Sequence, residues 1–221
     1  DTLNLQNGQL FGDVSFGAGA DVFNLTGGAA SLGALRDSDG QLTVNVTAGS
    51  LLLTNAEVID ATALTIGATS SVVFTADPNA ASNTRFDVAT ATIASGAKLG
   101  IVLTDLIAAP TTYTVIRTDT PAGLTVGTLD QSLVGNSPYL FVAQASADVA
   151  AGEVNIDVRR RTAAEMELNQ SQSLALDAVY AALGQDDDIR DAFLTAQSRQ
   201  EFLNRFDQML PDQGEGLFSS I

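Results

Sequence analysis

The chain has 221 residues, 45% of them apolar and only 16% charged, with no cysteine and no histidine; it is long enough to bury a substantial core, but disulfides, cysteine-based zinc sites, thiol catalysis and the commonest general base are excluded, and only hard oxygen atoms remain as metal ligands. Ten basic residues against 26 acidic ones give a formal charge of -16, so no basic surface is available to neutralise a phosphate backbone and nucleic acid is a poor partner. The same charge opposes adsorption to anionic membranes and helps keep an exported protein soluble.

Missing cysteine suits a chain that crosses an oxidising compartment unfolded. The start at Asp1-Thr2-Leu3 carries no signal peptide, and no apolar stretch is long enough to span a bilayer, so a piece of a longer protein is expected.

From Asp1 to about Ser71 short alternating runs are separated by small-residue or glycine turns, as in "LNLQNGQL", "DVSFGAGADVFNLTGG", "GQLTVNVTAGSLLLTN" and "ATALTIGATSSVVF". In "QLTVNVT", Leu42, Val44 and Val46 share one face and Thr43 and Asn45 the other, as a half-buried strand requires. Recurrence at roughly 20 residues predicts stacked turns of a β-solenoid. Asn4, Asn24 and Asn45 recur at near-equal intervals, either as an amide ladder inside one corner or as turn residues falling at similar phases.

From about Val72 to Arg161 the turn signals "ADPNAASN", "AAPTT", "DTPAG" and "GNSPY" space the runs "KLGIVLTDL", "TYTVIRT", "YLFVAQAS" and "EVNIDVRR", which predicts antiparallel hairpins. Residues 162–221 read as helical. Leu176, Val179 and Leu183 share a face, with Gly184 as a left-handed C-cap. A second helix starts at Asp186–Asp188 and aligns Ile189, Phe193 and Ala196. A capping box Ser198–Glu201 opens a third, carrying Phe202, Phe206 and Met209 and stopping at Pro211.

The run "EVNIDVRRRT", then "NQSQSLALDAVYAAL", then "FLNRFDQMLPDQGEGLFSSI", following a loose β-solenoid, resembles the C-terminal passenger region of a bacterial autotransporter, the part that leads into its translocator barrel. The resemblance implies a mainly β fold: a right-handed parallel β-solenoid end (1–71), an antiparallel hairpin cap of autochaperone type (72–161) and a C-terminal helical linker (162–221). It implies a folding module of a type V secreted protein, at the bacterial surface or outside the cell and associated with the outer membrane, with its own barrel and the outer-membrane assembly machinery as partners. Tyr113, Val115, Tyr139, Phe141, Val154 and Ile156 would form the folding nucleus, and Phe193, Phe202 and Phe206 a barrel-facing helical surface.

The alternative is an adhesin-like or calcium-dependent binding module. "GAGADVF" matches the later part of the calcium-binding nonapeptide G-G-x-G-x-D-x-U-x, and "RDSDGQL" adds a second acidic glycine-rich turn, which makes Asp21, Asp37 and Asp39 the calcium candidates. A single nonapeptide copy supplies too few ligands, so the expectation is no cofactor, with Asp21 capping a turn or facing water and Phe23 and Leu25 sharing a buried face. No nucleophile elbow or phosphate-binding loop occurs, and the pairs Asp37/Asp39 and Asp186–Asp188 sit in a turn and at a helix start, so no enzyme is expected. Arg159–Arg161 are expected to meet carboxylates of the same chain.

Overall fold

The alternating runs form strands because every second apolar side chain then reaches one face. The computed structural model describes residues 1–132 and 137–210. The first part contains β1 (Thr2–Leu5), β2 (Gln9–Ser15), β3 (Asp21–Arg36), β4 (Leu42–Leu53) and β5 (Val58–Asp77). β6 (Ser82–Asn83), β7 (Arg85–Ile93), β8 (Lys98–Leu103), β9 (Thr111–Thr118), β10 (Leu124–Val126), β11 (Phe141–Asp148) and β12 (Glu153–Arg160) follow, then α1 (Gln170–Leu183), α2 (Asp187–Leu194) and α3 (Arg199–Met209). The protein is mainly β, a curled and largely parallel sheet with C-terminal helices.

Successive passes of the chain pair parallel and put like on like. Leu3, Phe23, Val44, Leu64, Ala91 and Leu124 occupy one register line, and Leu5, Leu25, Val46, Ile66, Ile93 and Val126 the next inward line. Phe23, Leu25, Val44, Val46 and Ile66 are fully buried. Each such side chain contributes about 1.5–3 kcal/mol relative to exposure.

β3 and β4 each change direction at a glycine. Gly28 and Gly49 have φ of +79° and +89°, which an L side chain adopts only with strain. A Cβ on Gly28 would lie 2.4 Å from the Gly8 carbonyl oxygen, and one on Gly49 would lie 2.5 Å from that of Gly28. Close stacking of these corners therefore needs hydrogen at both positions.

Two expectations are corrected. Antiparallel hairpins do not begin at Val72: β5 runs through that position, β8 pairs parallel to its second half, and β7, β9 and β10 also join by parallel pairing. The inward register line simply continues, so the turn residues of this region connect parallel passes. Among the described residues antiparallel pairing is confined to the short β5–β6 contact and to β9–β12–β11. Gly184 ends α1 with φ -74°, a right-handed conformation, because the chain turns directly into the Asp186 cap of α2.

The helix faces follow the spacing. Leu176, Val179, Leu183, Phe193, Phe202 and Phe206 are buried, whereas Ile189 is 38% exposed. Ser198 accepts from the Glu201 N–H, but the Glu201 carboxylate reaches Gln197 N–H at 2.8 Å, one residue before the expected box. Pro211 with the tail after it, and Gly135 and Asn136 of "GNSPY", lie outside the described residues.

Replacing Gly28 by Ala is expected to cost about 1–3 kcal/mol, whereas Ala at Gly17, where φ is ordinary and no atom lies within 4 Å of the added Cβ, is expected to be nearly neutral. Urea unfolding of the two variants checks this.

Candidate functional site: a polar ladder and a closed sheet end

The register that stacks the apolar core also stacks its outward neighbours. Asn4, Asn24, Asn45, Thr65 and Thr92 form one line. Asn45 Nδ2 donates to Asn24 Oδ1 at 2.9 Å, and Asn24 Nδ2 donates to Asn4 Oδ1 at 2.8 Å. The amide ladder therefore exists. It runs along the outward face of the strands rather than inside a corner, because the asparagines alternate with the buried Phe23, Leu25, Val44 and Val46. Each rung contributes about 0.5–1.5 kcal/mol and fixes register, since a one-residue slip would turn every asparagine inward.

At the other end β9, β12 and β11 close the sheet. Tyr113 faces Ile156 and Ile116 faces Val154 across the β9–β12 pair. Tyr113, Val115, Phe141, Val154 and Ile156 are all buried. Tyr139 departs from the expected grouping: it lies before β11, its N–H donates to the Ala196 carbonyl, and its ring meets Phe202 at a centroid distance of 5.9 Å. It joins the helices to the sheet.

Phe193, Phe202 and Phe206, expected to face a barrel, point into the chain instead. They are at most 1% exposed, and their centroids are spaced 5.5 and 5.4 Å. Three helices this short reach stability only by sharing an apolar interior, and these rings supply it.

The arginines organise the junction. Arg159 makes two hydrogen bonds to Glu165, at 2.8 and 2.6 Å, and these, with the Thr162 N–H, hold the Glu165 carboxyl down to about 2. Arg160 pairs with Asp177 and lies 4.6 Å above the Tyr180 ring. Burial pushes the Tyr180 hydroxyl up to about 12 even though it sits beside Arg160, and the hydroxyl donates to the Ile107 carbonyl. Arg161 binds the Tyr139 carbonyl at 2.7 Å, not a carboxylate. A shallow cleft of about 360 Å³ lies between Ile107–Pro110, Arg159, Arg160, Thr162 and Tyr180, and both of its arginines already hold carboxylates.

Sequence reasoning missed two charge groups. Arg85 and Arg117 both bind Asp87, from the same strand and from the neighbouring β9. Burial raises the Asp87 carboxyl, but the hydrogen bonds and charges of the two arginines outweigh it and hold it below the usual range. Arg190 joins Asp105, Asp187 and Asp191, tying α2 to the loop after β8. Each depends in part on residues brought together by register or docking, Arg117 with Asp87 and Arg190 with Asp105, whereas the Arg85-x-Asp87 and Asp187–Arg190 spacings are local in sequence.

The calcium candidates are placed as follows. Asp21 is buried at 1% exposure, so it does not face water; its position in the strand alternates with Val22 and it shares the inward face of Phe23. Asp39 accepts from Gly19 N–H at 2.8 Å, the main cause of its lowered pKa, and from Gln41. The corner "GAGAD" thus stacks on "DSDG". Both carboxylate oxygens of Asp37 are sealed from solvent without a hydrogen-bond partner. Among the described residues no three acidic side chains converge in a group that could hold a metal ion. Asp186 caps α2 through the Ile189 N–H.

No protein family, curated protein or solved structure matches the chain.

Because Asp87 is depressed in the fold relative to about 3.9 in the unfolded chain, its contribution is complete above pH ~4 and lost as pH falls through the folded value. Urea stability measured between neutral and acid pH is expected to fall more shallowly below pH ~4 in Asp87→Asn than in the wild type, from a lower neutral value.

Proposed function

We propose that the chain is a folding and capping module of a secreted bacterial surface protein of the autotransporter type: the end of a right-handed parallel β-solenoid, closed by antiparallel strands and a helical segment, acting during translocation across the outer membrane. The observation that carries this reading is the asymmetry of the sheet. Among the described residues β1 and β2 each pair only with β3, leaving their other edges open, whereas the far end is finished by β9, β12, β11 and three packed helices.

An open parallel edge presents backbone donors and acceptors, half-buried Leu3 and Leu5, and the Asn4 amide in register for one more pass. The far end offers no parallel pass to continue, since its last strand, β11, runs antiparallel to β12. In this reading a C-terminal cap folds first outside the cell, and each preceding coil then gains a register-matched surface to fold upon, which opposes backsliding. The partners are the module's own translocator barrel and the outer-membrane assembly machinery, the location is the cell surface, and no residue is assigned a catalytic role.

A second reading rests on Asp37. Its two carboxylate oxygens are sealed from solvent with no hydrogen-bond partner, and a hard cation at this corner would satisfy them, as in a calcium-dependent adhesin-like module.

Phe141→Ala is expected to cost about 3–5 kcal/mol in equilibrium unfolding; unchanged stability removes Phe141 from the proposed nucleus. In the exported protein, deletion of residues 72–161 is expected to abolish protease-resistant display at the surface, and unaltered display overturns the capping role. Thermal unfolding in chelator and in excess calcium is expected to coincide; a calcium-dependent rise that vanishes in Asp37→Asn moves the conclusion to the binding module.

A further inference from the structure

β11 ends the sheet: among the described residues it pairs with β12 and with no other strand. In an antiparallel pair, residues alternate between exchanging both backbone bonds with the neighbour and turning both away. The bond from Arg161 N–H to the Leu140 carbonyl fixes the phase. Val142, Gln144, Ser146 and Asp148 therefore face β12, opposite Arg159, Asp157, Asn155 and Glu153. The N–H and C=O groups of Ala143, Ala145 and Ala147 point to the open side.

One of these three is occupied by a side chain. Gln131 Nε2 donates to the Ala145 carbonyl at 2.8 Å, and the Ala145 N–H donates to Gln131 Oε1 at 3.1 Å. A primary amide offers one donor and one acceptor, as a peptide group of a neighbouring strand does, so Gln131 stands in for one residue of a further strand. Ala143 and Ala147 have no equivalent partner among the described residues.

Natural edges are usually blunted by lysine, proline or a bulge. β11, FVAQASAD, has no lysine or proline, and its pairing with β12 shows no register shift. Its open-edge residues after Phe141 are all alanines, which offer no steric bar to an approaching backbone. Asp148 and Glu153 face each other at one end of the β11–β12 pair.

We propose that the open edge of β11 is a docking site for an extended peptide strand of neutral or basic composition, which displaces the Gln131 side chain and pairs main chain to main chain with Ala143, Ala145 and Ala147. The acidic end, Asp148 and Glu153, selects a basic residue at the flank of the incoming strand that meets it, Arg159 and Arg160 at the other end being already paired with Glu165 and Asp177, and a second copy of a chain with a formal charge of -16 is opposed by like-charge repulsion. Docking here is independent of the capping role, since it uses the edge of the last strand and leaves β1 and β2 untouched.

The probe is the synthetic peptide KQLTVNVTK, the chain's own residues 41–47 between two lysines, titrated into the isotopically labelled protein and followed by amide NMR shifts. Saturable shifts are expected at Ala143, Ala145 and Ala147, with several-fold tighter binding to Gln131→Ala, where the competing side chain is gone. Ala147→Pro removes an N–H that faces away from β12, so it is expected to keep the wild-type shifts of β9 and β12 but lose the peptide. Absence of saturable shifts in both the wild type and Gln131→Ala overturns the proposal, as does equal binding by Ala147→Pro. Peptide-free dimerisation of Gln131→Ala through this edge, seen by sedimentation, overturns the choice of a peptide as occupant.

Discussion

Parallel pairing between passes of the chain 20 or 21 residues apart is the constraint on which the rest of the structure depends. It sets Asn24 over Asn45 and under Asn4, and by the same offset sets Phe23 over Val44 and Leu25 over Val46. One geometric relation thus supplies a dry interior, an amide ladder outside it and glycines at successive corners. These features reinforce one another. A slip that kept the backbone bonded would expose Phe23 and bury Asn24, and a shift at the corner would drive a side chain into the Gly8 or Gly28 carbonyl.

The interval lengthens to 27 residues between β5 and β7, and the stack ends where parallel pairing stops. After β7, the partner of β9 is the antiparallel β12, and β12 turns back into β11. The buried Tyr113, Val115, Val154 and Ile156 join the same core cluster as the parallel passes. The helices add a small interior of their own, built on Phe193, Phe202 and Phe206 and attached through Tyr139 and the three arginines. The proposed role in export assigns a direction to this difference: the finished end supplies the surface on which the repetitive end assembles.

Much of the strand pattern was legible because it depends on local alternation. Leu42, Val44 and Val46 are buried as their spacing requires, and the helical positions Leu176, Val179 and Leu183 likewise. The asparagine ladder was legible as a periodicity but not as a location, since the same interval suits a corner and a flat strand. Strand direction was not legible: turn residues such as Pro78 and Pro110 interrupt a run without fixing whether the next run pairs parallel or antiparallel. The rings of the helical segment were misplaced for a related reason. An apolar face shows that something covers it, and here Tyr139 and neighbouring helices do so, contacts between residues far apart in sequence. Asp21 was misread because a glycine-rich approach signals a turn, while the alternation with Phe23 and Leu25 already placed it on the buried face.

Pulse-labelled hydrogen exchange during refolding tests most directly whether the closed end organises the stack. Amides of β9 and β12 are predicted to gain protection before those of β3 and β4, with β5 and β7 between them. Protection of β3 and β4 first, or simultaneous protection of all these strands, would contradict the account.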